Sequence, residues 1–159
     1  LLRTRFHIFF PKYNKIYWGM NHDYDHDLFQ VHAVSGCCFM ISAKCAQEVT
    51  PLDEGTFLYE EEFILGIVME NAGWKTMYVP TCTVLHLHGA SYVKAFAYTC
   101  NVRSEIYYCR KYLKASRIAI FGLYLYRLSI YMLHCLKSND YRKSIRCFMR
   151  DTVNYLWNI

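Results

Sequence analysis

The sequence predicts an α/β layer followed by basic amphipathic helices. Three observations carry this. Between residues 34 and 88, short apolar runs bracket a segment with helical spacing. Ile118 to Leu136 is nearly continuous apolar sequence. Charge divides unevenly: residues 1–91 hold 6 Lys/Arg and 10 Asp/Glu (net −4), whereas residues 92–159 hold 12 Lys/Arg and 3 Asp/Glu (net +9).

The first element expected is a strand. Val34-Ser35-Gly36-Cys37-Cys38-Phe39-Met40-Ile41 is an apolar run with one glycine, the pattern of a buried strand that something approaches closely. Ala43 to Val49 suits a short helix, stopped by Pro51. Glu60-Glu61-Glu62 then opens a longer helix, with Phe63, Ile64, Ile67 and Val68 at helical spacing and Ala72-Gly73 as its end. Strands are expected from Trp74 to Val79 and from Thr83 to His88, which completes the layer. Residues 1–30 read as irregular, and Asp23-Tyr24-Asp25-His26-Asp27 as a solvated loop rather than a metal-binding Asp-x-Asp.

The basic half is read as helical. Arg127 interrupts the Ile118–Leu136 run, and a charge at a bilayer centre costs a few kcal/mol or more. Ser116, Tyr124, Arg127, Tyr131, His134 and Ser138 fall near one stripe of that helix. A helix lying in a membrane interface, one packed on its own domain and a true span are the three readings of it. Ser138-Asn139-Asp140 suits a cap for a last helix, with Ile145, Met149, Thr152, Leu156 and Ile159 on one side and Arg142, Lys143, Arg146 and Arg150 beside them. Long apolar helices edged with arginine favour an anionic membrane surface over nucleic acid as the partner.

Length, composition and cysteine pattern narrow the class. At 159 residues, 54% hydrophobic and 19% charged, the chain can bury one core and is no disordered tail. Eight cysteines without a CxxC pair read as buried free thiols of a reducing compartment, not as a disulfide framework. The chain opens at Leu1 with no leader-like segment, and its true start is expected upstream. G-x-S-x-G, Walker and G-x-G-x-x-G motifs are absent from the sequence.

The blocks between Val34 and Ser91 occur in a telling order. Val34-Ser35-Gly36 precedes Phe39-Met40-Ile41; Leu52-Asp53-Glu54 precedes Phe57-Leu58-Tyr59-Glu60-Glu61-Glu62. Ala72-Gly73-Trp74-Lys75, Tyr78-Val79-Pro80, Val84-Leu85-His86 and Gly89-Ala90-Ser91 follow, and then Arg103-Ser104, Tyr107-Tyr108 and Arg110-Lys111. In this order and spacing the chain resembles the inverting family-2 glycosyltransferases of GT-A fold, especially the rhamnosyltransferase-like bacterial branch.

The resemblance implies a partial GT-A domain. Residues 1–91 would be its acceptor and catalytic half, without the nucleotide-binding half, and residues 92–159 a helical, basic, membrane-associated extension. It implies a nucleotide-sugar donor, a saccharide or lipid-linked acceptor, and a location on the cytoplasmic face of the cell membrane. Gly36, Tyr59 and Trp74 would lie at the acceptor. The family's usual base is the second acid of its pair, which maps to Glu62, with Glu61 before it. The family commonly has Asp at the Glu62 position, so the base is Glu62 or Glu61. Glu60 is expected to be a solvated first-turn acid. His86 would stand near a divalent cation, Mg²⁺ or Mn²⁺, and the diphosphate; His88 receives no role.

The residue types suit the chemistry. A sugar hydroxyl attacks only if a carboxylate takes its proton. The start of a helix favours an ionised acid, and neighbouring acids raise one another's pKa. Two non-catalytic readings remain. One is a membrane-binding module with an α/β scaffold. The other is a zinc protein using His86 and His88, with His32 or His22, since alternate strand residues share a face.

Overall fold

The computed structural model describes residues 22–86 and 94–158. The strand β1 (Phe29–Val31) is followed by helices α1 (Ala43–Val49) and α2 (Glu61–Asn71) and by strand β2 (Thr76–Tyr78). Three long helices complete the order: α3 (Lys94–Lys111), α4 (Arg117–Lys137) and α5 (Asn139–Asn158).

Local sequence explains most boundaries. The Ser42 hydroxyl accepts from the Cys45 N–H at 3.2 Å and starts α1, and Thr50, extended before Pro51, ends it. Gly73 at φ 83° takes the left-handed position beyond α2, where its N–H bonds to the Glu70 carbonyl at 3.0 Å. The Ser116 hydroxyl accepts from the Ala119 N–H and opens α4. The Asp140 carboxylate accepts from the Ala95 N–H at 3.1 Å, a negative group at the positive end of α3.

The sheet differs from expectation. Strands β1 and β2 pair antiparallel, with Phe29 opposite Tyr78 and Val31 opposite Thr76, and β1 begins inside the stretch, residues 1–30, read as irregular. The Val34–Ile41 run forms no strand. The Ser35 carbonyl accepts from the Cys38 N–H at 3.4 Å, so the chain turns at Gly36-Cys37, and Met40 is 96% exposed. An apolar run becomes a buried strand only with a neighbour to pair with, and among the described residues only β1 and β2 pair. Residues 82–86 are likewise without strand structure; His88 and the Gly89-Ala90-Ser91 turn lie outside the described residues, as do residues 1–21 and Ile159. The Asp23–Asp27 segment is an exposed turn, with the Asp23 carboxylate bonded to His26 and to the Asp25 N–H.

The cysteines are free, as expected, but not uniformly buried. Cys45, Cys100 and Cys135 are buried, whereas Cys37, Cys38, Cys82 and Cys147 face solvent.

The core lies in the helical half. Val102 and Ile106 of α3, Ile120, Tyr124, Tyr131 and Cys135 of α4, and Tyr141 and Phe148 of α5 form one buried cluster. The Tyr131 and Phe148 rings stack at 3.9 Å, and the Tyr131 hydroxyl donates to the Tyr141 carbonyl at 3.1 Å, which satisfies its polar end inside the core. The α5 sidedness differs in detail from the sequence reading. Thr152 is buried, and Ile145 and Leu156 are partly so, but Met149 faces out and Phe148 takes the inward place. Of the polar stripe read on α4, Tyr124, Arg127 and Tyr131 turn inward, whereas Ser116 and His134 stay exposed. Arg127 makes two bonds to the fully buried Glu105 of α3, at 2.6 and 2.9 Å.

Candidate active site

A cavity of about 850 Å³ opens between α1, α2 and the end of α3. Its walls are mostly apolar, and Asp53, Glu54, Glu61, Glu62, Lys111 and Tyr112 are the polar side chains that line it. Glu62 also borders a second cavity, of about 740 Å³, beneath residues 33–41 and β2. It therefore stands between two cavities.

The acid pair is presented by an unusual turn. Tyr59 and Glu60 both have φ 70°, the left-handed region that side chains with a Cβ rarely enter. Two such residues in succession are held only where the surroundings over-determine them. Glu60 is buried and precedes the first turn of α2, which corrects its reading as a solvated acid. Glu61 and Glu62 follow as the first helical residues, where the helix dipole favours negative charge.

Glu62 is fixed across the cavity. Its Oε1 accepts from the Gly36 N–H at 2.8 Å, a contact between residues 26 apart in sequence. A Cβ at position 36 would collide with that carboxylate oxygen, so a glycine is what lets the backbone come so close. Partial burial raises the Glu61 carboxyl above its ordinary pKa. Its own backbone amide pulls the other way, and the charges of Glu62 and Glu60 raise it further.

The loop before the acids is anchored to the helical half. The Asp53 carboxylate accepts from the Tyr107 hydroxyl at 2.8 and 2.9 Å, from Lys111 Nζ at 2.8 Å, from the Gly55 N–H at 2.8 Å and from the Tyr112 hydroxyl. Further along the loop, the Leu58 carbonyl accepts from Ser104 at 2.7 Å and the Gly55 carbonyl from Tyr155 at 3.1 Å. Burial alone would raise the Asp53 pKa. The bond from Lys111, then those from Tyr112, Gly55 and Tyr107, outweigh it and hold the carboxyl well below its ordinary range. The Tyr112 hydroxyl is pushed up to about 12, by burial first and by the Asp53 carboxylate second.

The sequence reading assigned no role to Asp53, Lys111 or Tyr112. Their signal was present: Tyr107 and Lys111 are four apart on one helix face, and Asp53 stands in the loop that leads to the acids. Nothing local tells that the two meet.

Asp53→Asn should lower stability by about 2–3 kcal/mol at neutral pH, because charged hydrogen bonds are lost at a nearly buried site. The sign of the pH dependence follows from the depressed folded pKa. The Asp53 contribution is fully present above the unfolded carboxyl value of about 4 and is lost as pH falls toward the folded value. Urea midpoints at pH 7 and pH 3 should therefore differ less in the variant than in the native chain. An equal difference in both rejects the assignment.

The remaining sequence-derived residues are dispersed. Tyr59, half-buried, shapes the turn and does not line the Gly36–Glu62 cavity. Trp74 donates from Nε1 to Glu48 at 2.7 Å and lines a separate pocket of about 230 Å³ with His32 and Glu70. His86 is exposed and borders neither large cavity. Among the described residues no three His, Cys, Asp or Glu side chains gather as a metal site.

Comparison with known proteins bears on the class. A stretch of 53 residues is 38% identical to N-acetylglucosaminyl-diphospho-decaprenol L-rhamnosyltransferase from Mycobacterium tuberculosis strain CDC 1551 / Oshkosh. The protein of the same name from strain ATCC 25618 / H37Rv is equally similar. The match covers 33% of this chain and 17% of each relative's length. No family model matches the chain, and no solved structure matches it. Over that stretch the chain is similar to a glycosyltransferase. The particular proteins resembled are rhamnosyltransferases.

Proposed function

We propose that this chain forms the acceptor side of a glycosyltransferase that moves a sugar from a nucleotide-diphosphate donor to a hydroxyl, with inversion. The observation that carries this is Glu62, locked by the Gly36 N–H and standing between two cavities. A base that joins two substrates must lie between them. The acceptor hydroxyl gives its proton to the Glu62 carboxylate as its oxygen attacks the anomeric carbon. The bond from that carbon to the diphosphate oxygen breaks, and the diphosphate leaves with the electron pair. One displacement from the opposite face inverts the centre.

Glu61, beside it with a raised pKa, is the second candidate for the proton. The mixed apolar and charged wall of the larger cavity suits a sugar ring, whose faces are apolar and whose edges are polar. The relatives' name includes a decaprenol-linked N-acetylglucosaminyl diphosphate, and a lipid-linked saccharide is the acceptor we assign. A divalent cation, Mg²⁺ or Mn²⁺, would screen the leaving diphosphate, with His86 as the donor this chain offers. The site would work on the cytoplasmic face of the cell membrane.

The test is direct transfer by the gene's complete product. With nucleotide-sugar donors and a polyprenyl-diphosphate N-acetylglucosamine, mass spectrometry should show one added sugar, and NMR an anomeric configuration opposite to the donor's. No transfer across UDP-, GDP- and dTDP-sugars with Mg²⁺ or Mn²⁺ present overturns the proposal.

A further inference from the structure

The α4 helix resolves the conflict its sequence posed. Arg127, the charge in the middle of the apolar run, faces inward and is neutralised by Glu105. The inward side also carries Ile120, Tyr124, Tyr131 and Cys135. On a helix of 3.6 residues per turn, Ile118, Phe121, Leu125, Met132, Leu133 and Leu136 fall within an arc of about 120° on the opposite side. All six are exposed, Ile118 by 86%, Leu136 by 78% and Leu133 by 60%. Gly122 and Ser129, also exposed, are the other residues of this arc, so no charge interrupts it. The stripe runs the length of a 21-residue helix, about 30 Å. Apolar surface that continuous marks a contact face.

Charge identifies the occupant. Exposed Lys114, Arg117 and Lys137 stand before and at the ends of the stripe, and the adjoining helix α5 exposes Arg142, Lys143 and Arg146. The three acids between residues 94 and 158 are engaged: Glu105 with Arg127, Asp140 with the Ala95 N–H, and Asp151 with Arg150. A second copy docked symmetrically would set like charges against like. A nucleic acid would meet the cations but leave the stripe in water. An anionic lipid surface satisfies both features.

We infer that the outward face of α4 seats the protein on an anionic bilayer, with the helix lying in the interface. A span would have to draw Tyr124, Tyr131, Cys135 and the Arg127–Glu105 pair out of the core. This inference does not depend on the transfer reaction.

Flotation with phosphatidylglycerol-containing vesicles tests it. The native chain should float with them and should bind pure phosphatidylcholine vesicles at least about tenfold more weakly, since each cation near an anionic surface adds to affinity. Phe121→Ser with Leu125→Ser should cost at least about tenfold, with an unchanged circular dichroism spectrum because both side chains are exposed. Arg142→Glu with Arg146→Glu should weaken binding in the same direction. As a measurement on the native chain, hydroxyl-radical oxidation of Met132 and Leu133 should fall when vesicles are added. Unchanged flotation of the Phe121/Leu125 variant, or unchanged oxidation of Met132 and Leu133, overturns the inference. So does a dimer in light scattering that the Phe121/Leu125 variant abolishes and vesicles leave intact.

Discussion

Glu62→Gln should reduce turnover by about 10²–10⁴ at saturating donor, the usual worth of a positioned general base, while donor binding is kept. Gln is nearly the size of Glu and still offers an oxygen to the Gly36 N–H, so the turn at residues 35–38 should remain in place. What is lost is the ability to take a proton. Glu61→Gln should cost less, because among the described residues no cross-cavity hydrogen bond aims Glu61 as Gly36 aims Glu62. Glu60→Gln should act on stability rather than turnover, since Glu60 is buried in the left-handed turn that sets the other two. Turnover and denaturation midpoints of the three variants, made in the gene's complete product, decide the matter. If Glu61→Gln is the most damaging for turnover, the base is the first acid of the pair. If none falls tenfold, the acids are a helix start and the transfer proposal loses its support.

Arg127→Leu should destabilise the chain by about 3–5 kcal/mol, because it removes both guanidinium bonds from the fully buried Glu105 carboxylate. Burial opposes the guanidinium charge of Arg127, but the two bonds to Glu105 outweigh it and hold its pKa above the ordinary value. The pair is therefore maintained by mutual contact in a site that would expel either charge alone. Replacing both residues, Glu105→Leu with Arg127→Met, should recover most of the loss, since apolar groups of similar volume often substitute for a buried pair at little net cost. Urea unfolding of the two variants is the measurement. If Arg127→Leu shifts stability by less than 1 kcal/mol, water reaches Glu105 and the pair is not truly enclosed.

Legibility followed locality. The span of α1 from Ala43, its end before Pro51 and the stop of α2 at Gly73 were readable, because caps, prolines and left-handed glycines act within a few residues. The Val34–Ile41 run was misread for the opposite reason. Its apolar character shows that it seeks cover, but whether it becomes a strand depends on a partner elsewhere. What the turn at Gly36 does instead is deliver a backbone N–H to Glu62, and no periodicity reports that.

By itself the sequence determined the acid pair at a helix start, the long apolar helix and the excess of cations after residue 92, for these are properties of composition and short-range order. The tertiary structure alone decided which partners meet: Gly36 with Glu62, Asp53 with Lys111 from 58 residues away, Arg127 with Glu105. It also decided which side of α4 faces out. Helical periodicity locates faces around an axis but cannot rank two that are both largely apolar. The side with Tyr131 and Arg127 turned inward because their polar ends found partners in the core, and the plain hydrocarbon of Ile118, Leu125 and Leu136 was left outside.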